Sequence, residues 1–487
     1  RKSQAEKFKP HAAEVFRLMR EGIKYLEGYF DYKFPWPKYD LVLIPEFPFG
    51  GMEHAGATFV REQSIIFPTE PTKSDYINRA TLVFHETAHQ WFGDTVTMKW
   101  FDDLWLKEGF ANFMAYKAME KIMPETNAWK VFYERIKQPA YATDSTKGTT
   151  PIYQKIDNLS AAKSAYGNIV YNKAPAFLRQ AEFYLGEDKF QTAVRAFLKK
   201  HEYGNGRWED LVTEFAKAKY NLPESGGTIS VSQALGTKQL LTWADAWIKQ
   251  PGTPIVKLEN GRVTETDSLH LGHFWPERLQ LYELTKNPNP DYKGIVRIES
   301  FLLNPDATTD KLNLTTSFTS LNYQDYGYGI FLLDDKSRDY VLKNVGSEKD
   351  PFLRSMMYGA LWDSVREGEL DPKVYVELAI KNLPTEQDET ITQSILGRSS
   401  TAMNYYIDEK SGAKPAFPTA SDERSLRTRI EDLLIDKMQH AATPGQRITF
   451  YRAFLGIASS ENARNKLKEL LRGGLRPASN TNPASSG

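Results

Sequence analysis

Five residues, Gln250-Pro251-Gly252-Thr253-Pro254, divide the chain into stretches of different hydrophobic period. Two prolines flanking a glycine continue neither a helix nor a central strand, so the elements on both sides must end there. Upstream, apolar residues recur at the three- and four-residue spacings of amphipathic helices. Phe16, Met19, Ile23, Leu26 and Phe30 line one such face. Ile77, Ala80, Phe84 and Ala88 line another that begins near Ser74, where Asp75 suits the free N–H groups of a helix start. Between them the Pro-rich residues 34–37 end the first helix, and residues 41–44 form a short strand leading through Pro45 to a turn at Phe49-Gly50-Gly51. Further helices are expected from Leu104 through Phe113 to Met119 and over residues 170–185, with a polar loop over 137–155 and a looser Gly- and Ser-rich insertion over 224–237.

Downstream the period changes. Residues 255–258, 279–284, 294–302, 312–318 and 330–333 are short β-type runs separated by Asn, Asp, Pro and Gly, which predicts a small β-sandwich. From Pro351 the helical spacing returns through Met356, Ala360, Leu361, Val374 and Leu378, and later through Leu426, Ile430 and Leu434, so stacked helix pairs are expected. A chain of 487 residues exceeds a single module. The fold class read here is α+β and multidomain: a mainly helical domain over 1–250, a β-sandwich over 251–345, a helical C-terminal domain over 346–475 and a disordered tail over 476–487.

Composition removes several functions. With no Cys, disulfide frameworks, thiolate zinc knuckles, iron–sulfur clusters and a cysteine nucleophile are excluded together. Lys plus Arg and Asp plus Glu each total 62, so no net charge recruits a polyanion, and nucleic acid is not an expected partner. No run of about 18 apolar residues occurs, so no transmembrane segment is expected. A soluble protein is expected, with the cytoplasm favoured and a periplasmic or secreted location left open. Oligomeric state is left open too.

Residues His85-Glu86-Thr87-Ala88-His89 spell HExxH inside the second helical pattern. Two His one turn apart share a helix face and can reach one tetrahedral zinc, while Glu86 stands where it can take a proton from water. In a chain with eight His the pattern arises by chance on the order of 0.01 times. Glu108, on the next expected helix, completes HExxH-x18-E and supplies a third ligand. Two imidazoles and one carboxylate leave a fourth position open, which is the donor set of a catalytic zinc.

Taken with Gly50-Gly51-Met52-Glu53-His54 and Asp103-Leu104-Trp105-Leu106-Lys107-Glu108-Gly109-Phe110-Ala111, this motif resembles the zinc aminopeptidase family that includes aminopeptidase N, the gluzincins with GxMEN and HExxH-x18-E. The resemblance implies a thermolysin-like catalytic domain followed by a β-sandwich and a helical superhelix. It implies one zinc per chain on His85, His89 and Glu108, with Glu86 as the water-activating base. Gly51, Met52 and Glu53 are implied as the substrate-binding segment, Glu53 pairing with the free α-amino group of a peptide. Tyr171, in Tyr171-Asn172-Lys173, is similar to the family's oxyanion-stabilising Tyr. Ala174 stands where the family has Gly, and Tyr166 is the substitute candidate. His54 replaces the family's Asn, either as a hydrogen-bonding spacer or as a ligand to a second metal. The family carries a β-rich domain ahead of the first helix seen here, so the chain is expected to be an excerpt without it. The function implied is zinc-dependent removal of N-terminal residues from peptides. A lipid epoxide hydrolase and a noncatalytic scaffold of the same fold are the alternatives.

Overall fold

The computed structural model describes residues 2–223, 230–259, 261–285, 295–303, 316–407 and 425–473. The 312–318 run and the insertion at 224–237 fall partly outside these residues, and the 476–487 tail falls wholly outside them. Two compact units result, Arg1–Ser364 and Val365–Gly487.

The first helix spans Ala5–Phe30 and ends at Asp31 in the left-handed conformation, φ 51°. Its buried stripe is Val15, Leu18, Met19, Gly22, Leu26, Tyr29 and Phe30. Phe16, expected on that stripe, is exposed instead and meets Phe8 edge-on at 6.2 Å. The stripe is centred on Gly22 because the next long helix presses there: a Cβ at Gly22 would lie 3.0 Å from Phe84 Cδ1. That second helix, Lys73–His89, starts with a reciprocal cap in which Thr72 Oγ1 accepts from the Asp75 N–H and Asp75 Oδ2 accepts from the Thr72 N–H. Ile77, Ala80, Phe84 and Ala88 are all buried, as their spacing predicts.

A three-stranded sheet lies between the two helices in sequence, with Asp40–Ile44 parallel to Ala57–Arg61 and Gly51–Met52 antiparallel to it. Gly51, expected in the turn, is therefore strand, together with Met52. The helix Trp105–Ile122 packs beside Lys73–His89, and Phe92 stacks on Phe110 at 4.0 Å near their ends. The expected loop over 137–155 is irregular only after Ser145. A π-helical turn, Tyr133–Lys137, leads into a helix, Gln138–Asp144. Its polar residues misled the sequence reading because they are buried with partners. Lys137 Nζ lies 3.0 Å from Asp325 Oδ2 and donates to the Asp325 carbonyl, and burial pulls its pKa down to about 8. Asp144 is paired at 2.7 Å with Lys173, and both are fully buried. Lys173 also donates to the carbonyls of Gln250 and Gly252, fastening the 250–254 segment to the helices.

Beyond that segment two three-stranded sheets form. Pro254–Glu259 pairs with Arg262–Asp267 antiparallel and with Ile330–Leu332 parallel, while Glu277–Thr285 pairs antiparallel with Ile295–Leu303 and Phe318–Ser320. Val256, Leu258 and Val263 of one sheet join Leu279, Leu281 and Leu303 of the other in one apolar cluster. Arg262–Asp267 was not legible because only Val263 and Asp267 of its six residues are buried.

In the second unit, the helices Pro372–Asn382, Glu389–Thr401, Leu426–His440 and Pro444–Ile457 are each capped by a side chain, from Asp371, Asp388, Ser425 and Thr443. Ile391, Ile395, Ile430, Leu434, Phe450 and Phe454 are buried there. Among the described residues no helix is long and apolar enough to cross a membrane.

Candidate active site

His85 and His89 leave one face of the helix Lys73–His89 with their Nε2 atoms 3.0 Å apart. Glu108, in the first turn of the helix Trp105–Ile122, brings Oε2 to 3.5 Å from His85 Nε2 and 3.4 Å from His89 Nε2. Zinc bonds of about 2.0–2.1 Å in tetrahedral geometry place neighbouring donors about 3.3 Å apart. The three atoms fit that requirement. Both rings are held by their other nitrogen: His85 Nδ1 pairs with Asn112 Oδ1 at 2.8 Å and His89 Nδ1 with the Phe92 carbonyl at 2.9 Å. With Nδ1 protonated for those bonds, each Nε2 presents a lone pair to the centre of the triad. Glu108 and His89 are buried, whereas the His85 side chain keeps 12% exposure and marks the side from which a ligand can enter.

Glu86 is buried beside this triad, and its Oε2 has no hydrogen-bond partner. Burial pushes its carboxyl up to about 8, against the opposing pull of His85. The strand residue Gly51 passes directly over it, so close that a Cβ at Gly51 would fall inside the Glu86 carboxylate. Only glycine lets the backbone approach this near.

That same strand delivers Met52 and Glu53, both half-buried. Glu53, Glu86 and His89 offer ligand atoms within 4.8 Å of one another, as do His85, His89 and Glu108. Burial works against the Glu53 charge, yet His89 and Lys107 hold its carboxyl at about 2, so it is an anion. Lys107 Nζ donates to Glu53 Oε1 and lies 3.1 Å from Glu108 Oε1. Gln90 fixes the segment after the strand: its Nε2 donates to the Glu53 carbonyl at 3.1 Å, and its Oε1 accepts from the Gly56 N–H at 2.9 Å.

Tyr171 sits in a π-helical turn, Ile169–Lys173, ahead of the helix Ala174–Leu185. Its ring centre lies 6.2 Å from that of His85; burial raises its pKa, and the nearby Glu108 carboxylate adds to the shift. Asn112 Nδ2 donates to the Tyr171 carbonyl at 2.6 Å, so one side chain ties His85 to the turn bearing Tyr171. Tyr166 is 42% exposed and lies behind, 6.4 Å from the Tyr171 ring. His54 is exposed and packs on Phe59 at 4.6 Å, and it joins neither group of candidate ligands among the described residues. Ala174, in the position of the family's Gly, meets Gly109: a Cβ there would come within 2.7 Å of the Ala174 Cβ.

Residues 15–230 match the peptidase family M1 domain. The chain carries a peptidase family M1 domain. It is 29% identical over 484 residues to aminopeptidase N of Streptomyces lividans, a match covering 95% of this chain and 53% of the relative. It is 35% identical over 242 residues to leucyl aminopeptidase of Saccharolobus solfataricus, covering 50% and 29%. It is 30% identical over 430 residues to Tricorn protease-interacting factor F2 of Thermoplasma volcanium, covering 85% and 49%. The chain thus spans about half, or less, of the length of these relatives. All eight residues singled out from the sequence, Gly51, Met52, Glu53, His85, Glu86, His89, Glu108 and Tyr171, lie within the matched M1 segment. Gln90, Lys107 and Asn112 were not singled out. For Asn112 a signal existed, since it lies one turn after Glu108 on the same helix face.

Proposed function

We propose that this M1 chain is a zinc aminopeptidase that hydrolyses the N-terminal residue from peptides. The observation that carries the reading is the placement of the anionic Glu53 carboxylate within ligand distance of Glu86 and His89. A peptide ammonium bound to a fixed carboxylate sets the distance from chain end to scissile carbonyl, and cleavage of single residues follows. The relatives named aminopeptidase support the same conclusion.

His85, His89 and Glu108 would hold one ion. Zinc there supplies a Lewis acid and makes water acidic enough to attack near neutral pH. Glu86, buried beside the triad with its Oε2 unpartnered, takes the proton of the attacking water and delivers it to the leaving amine. The Tyr171 hydroxyl, beside His85 and Glu108, donates to the oxygen that becomes negative as the carbonyl is attacked. Glu53 orients the substrate amine, with Gly51 and Met52 lining its approach. The domain layout proposed with this activity is a thermolysin-like domain over 1–250, a β-sandwich over 251–345, a helical superhelix over 346–475 and a tail over 476–487.

The test uses matched peptides, one with a free N-terminus and one N-acetylated, with the zinc-loaded protein and its Glu86→Gln variant. Release of single residues from the free peptide only, reduced at least about a thousandfold in Glu86→Gln with zinc content unchanged, is the expected result. Internal cleavage of both peptides would replace the reading with an endopeptidase. No cleavage despite bound zinc would favour the epoxide hydrolase or the scaffold.

A further inference from the structure

The amine anchor of the proposed site is already engaged by a cation of the chain itself. Lys107 Nζ donates to Glu53 Oε1 and stands 3.1 Å from Glu108 Oε1, with only 14% of its side chain exposed. Glu53 Oε1 is the oxygen that faces this ammonium, and an ammonium is also what a peptide N-terminus would bring. Resting on the aminopeptidase reading, we propose that Lys107 is an internal stand-in for the substrate's α-ammonium: it occupies Glu53 in the free protein and must leave it for a peptide to bind.

Three observations carry the inference. The first is chemical identity, since a primary ammonium on a carboxylate is the same pair whether the nitrogen belongs to Lys107 or to a substrate. The second is charge. A substrate amine arriving while Lys107 stayed in place would share one carboxylate with a like charge a few ångströms away, which opposes binding. The third is an alternative seat. Asp94 lies just past the Gly93 turn, φ 137°, where a Cβ would meet Lys107 Cβ at 3.7 Å, so the Lys107 stem runs alongside this turn. The Asp94 Oδ2 atom is buried and has no hydrogen-bond partner. An unpartnered carboxylate beside the lysine stem gives the displaced ammonium a place to go. Lys107 is then a specificity-determining residue that sets how strong an amine must be to enter.

A fixed clamp predicts the opposite sign. If Lys107 only orients Glu53 and Glu108, its removal weakens amine binding; if it competes, its removal strengthens it. The experiment is calorimetric titration of the full chain, with and without zinc, using L-leucine amide as the probe and N-acetyl-leucine amide as the control. Lys107→Met is expected to lower the Kd for leucine amide about tenfold, Lys107→Arg to leave it weak, and the control to stay unbound. Asp94→Asn is expected to raise the Kd severalfold when Lys107 is present and to have no effect in the Lys107→Met background, a coupling that a clamp does not produce. A higher Kd in Lys107→Met overturns the proposal. Should that variant fail to fold, an unchanged Kd in Asp94→Asn overturns it instead. If the wild-type protein cleaves free peptides but Lys107→Met does not alter leucine amide binding, only the role of Lys107 fails. If the wild type binds no leucine amide and cleaves neither peptide, the aminopeptidase reading fails with it.

Discussion

At the scale of single residues, Gly51 has the narrowest tolerance. Its backbone crosses the Glu86 carboxylate with no room for a Cβ. Gly51→Ala is expected to displace either the strand or the Glu86 side chain and to lower kcat by about a hundredfold, because a misplacement near 1 Å has that effect on positioned groups. A kcat within about threefold of wild type, with the variant folded by circular dichroism, would show that Glu86 does not need this backbone. Single residues were also where the sequence was most readable. His85, Glu86, His89 and Glu108 were legible because one helix period and one fixed spacing place them. Lys107 and Gln90 were not, because what they contact, Glu53 and Gly56, is set by tertiary packing and not by spacing along the chain.

Secondary-structure elements show where a helical period misleads. The apolar spacing over 170–185 reads as one helix, but it opens with the π-helical turn Ile169–Lys173, which inserts an extra residue and aims Tyr171 and Lys173 differently from a regular helix. Tyr171 meets Glu108, while Lys173 goes to Asp144. The turn is held to the neighbouring helix by Asn112, which also orients His85. Asn112→Ala is expected to weaken zinc binding about 10–100-fold, measured by competition with a chelating dye, because the imidazole loses its outer partner. Unchanged zinc affinity would mean that the helix alone orients His85. The 137–155 segment misled for a related reason: its Lys and Asp side chains read as a solvated loop, whereas their charges are buried against opposite charges.

For the first unit as a whole, the helices and the sheets that follow are joined by buried ion pairs as well as by apolar packing of Trp247, Trp275 and Tyr328. Removing one partner leaves the other charge stranded, so Lys173→Met is expected to destabilise this unit by about 3–5 kcal/mol in urea unfolding. Lys173→Met combined with Asp144→Asn should recover most of that loss. A single variant within about 1 kcal/mol of wild type would show that Asp144 is adequately satisfied by Thr149, Gly252 and Tyr328. A pH dependence belongs at this scale too. Burial pushes the Glu265 carboxyl up to about 8, with Trp275 N–H opposing the shift, and its Oε2 has no partner. Its pKa is raised on folding, so the contribution to stability is complete below about pH 4.5 and is lost as pH rises through about 8. Glu265→Gln should flatten the fall in melting temperature across that window, and an unaltered slope would assign the fall to other groups. The change of period at 250–254 was legible from Pro and Gly alone, but the attachment of that segment to Lys173 was not, since no local pattern announces a pairing across 77 or more residues. The same joint has a thermal consequence. The hydration that charged groups lose on burial becomes less favourable on heating, so the Lys137–Asp325 and Lys173–Asp144 pairs lose less ground in a warming cell than a purely greasy seam of equal size would.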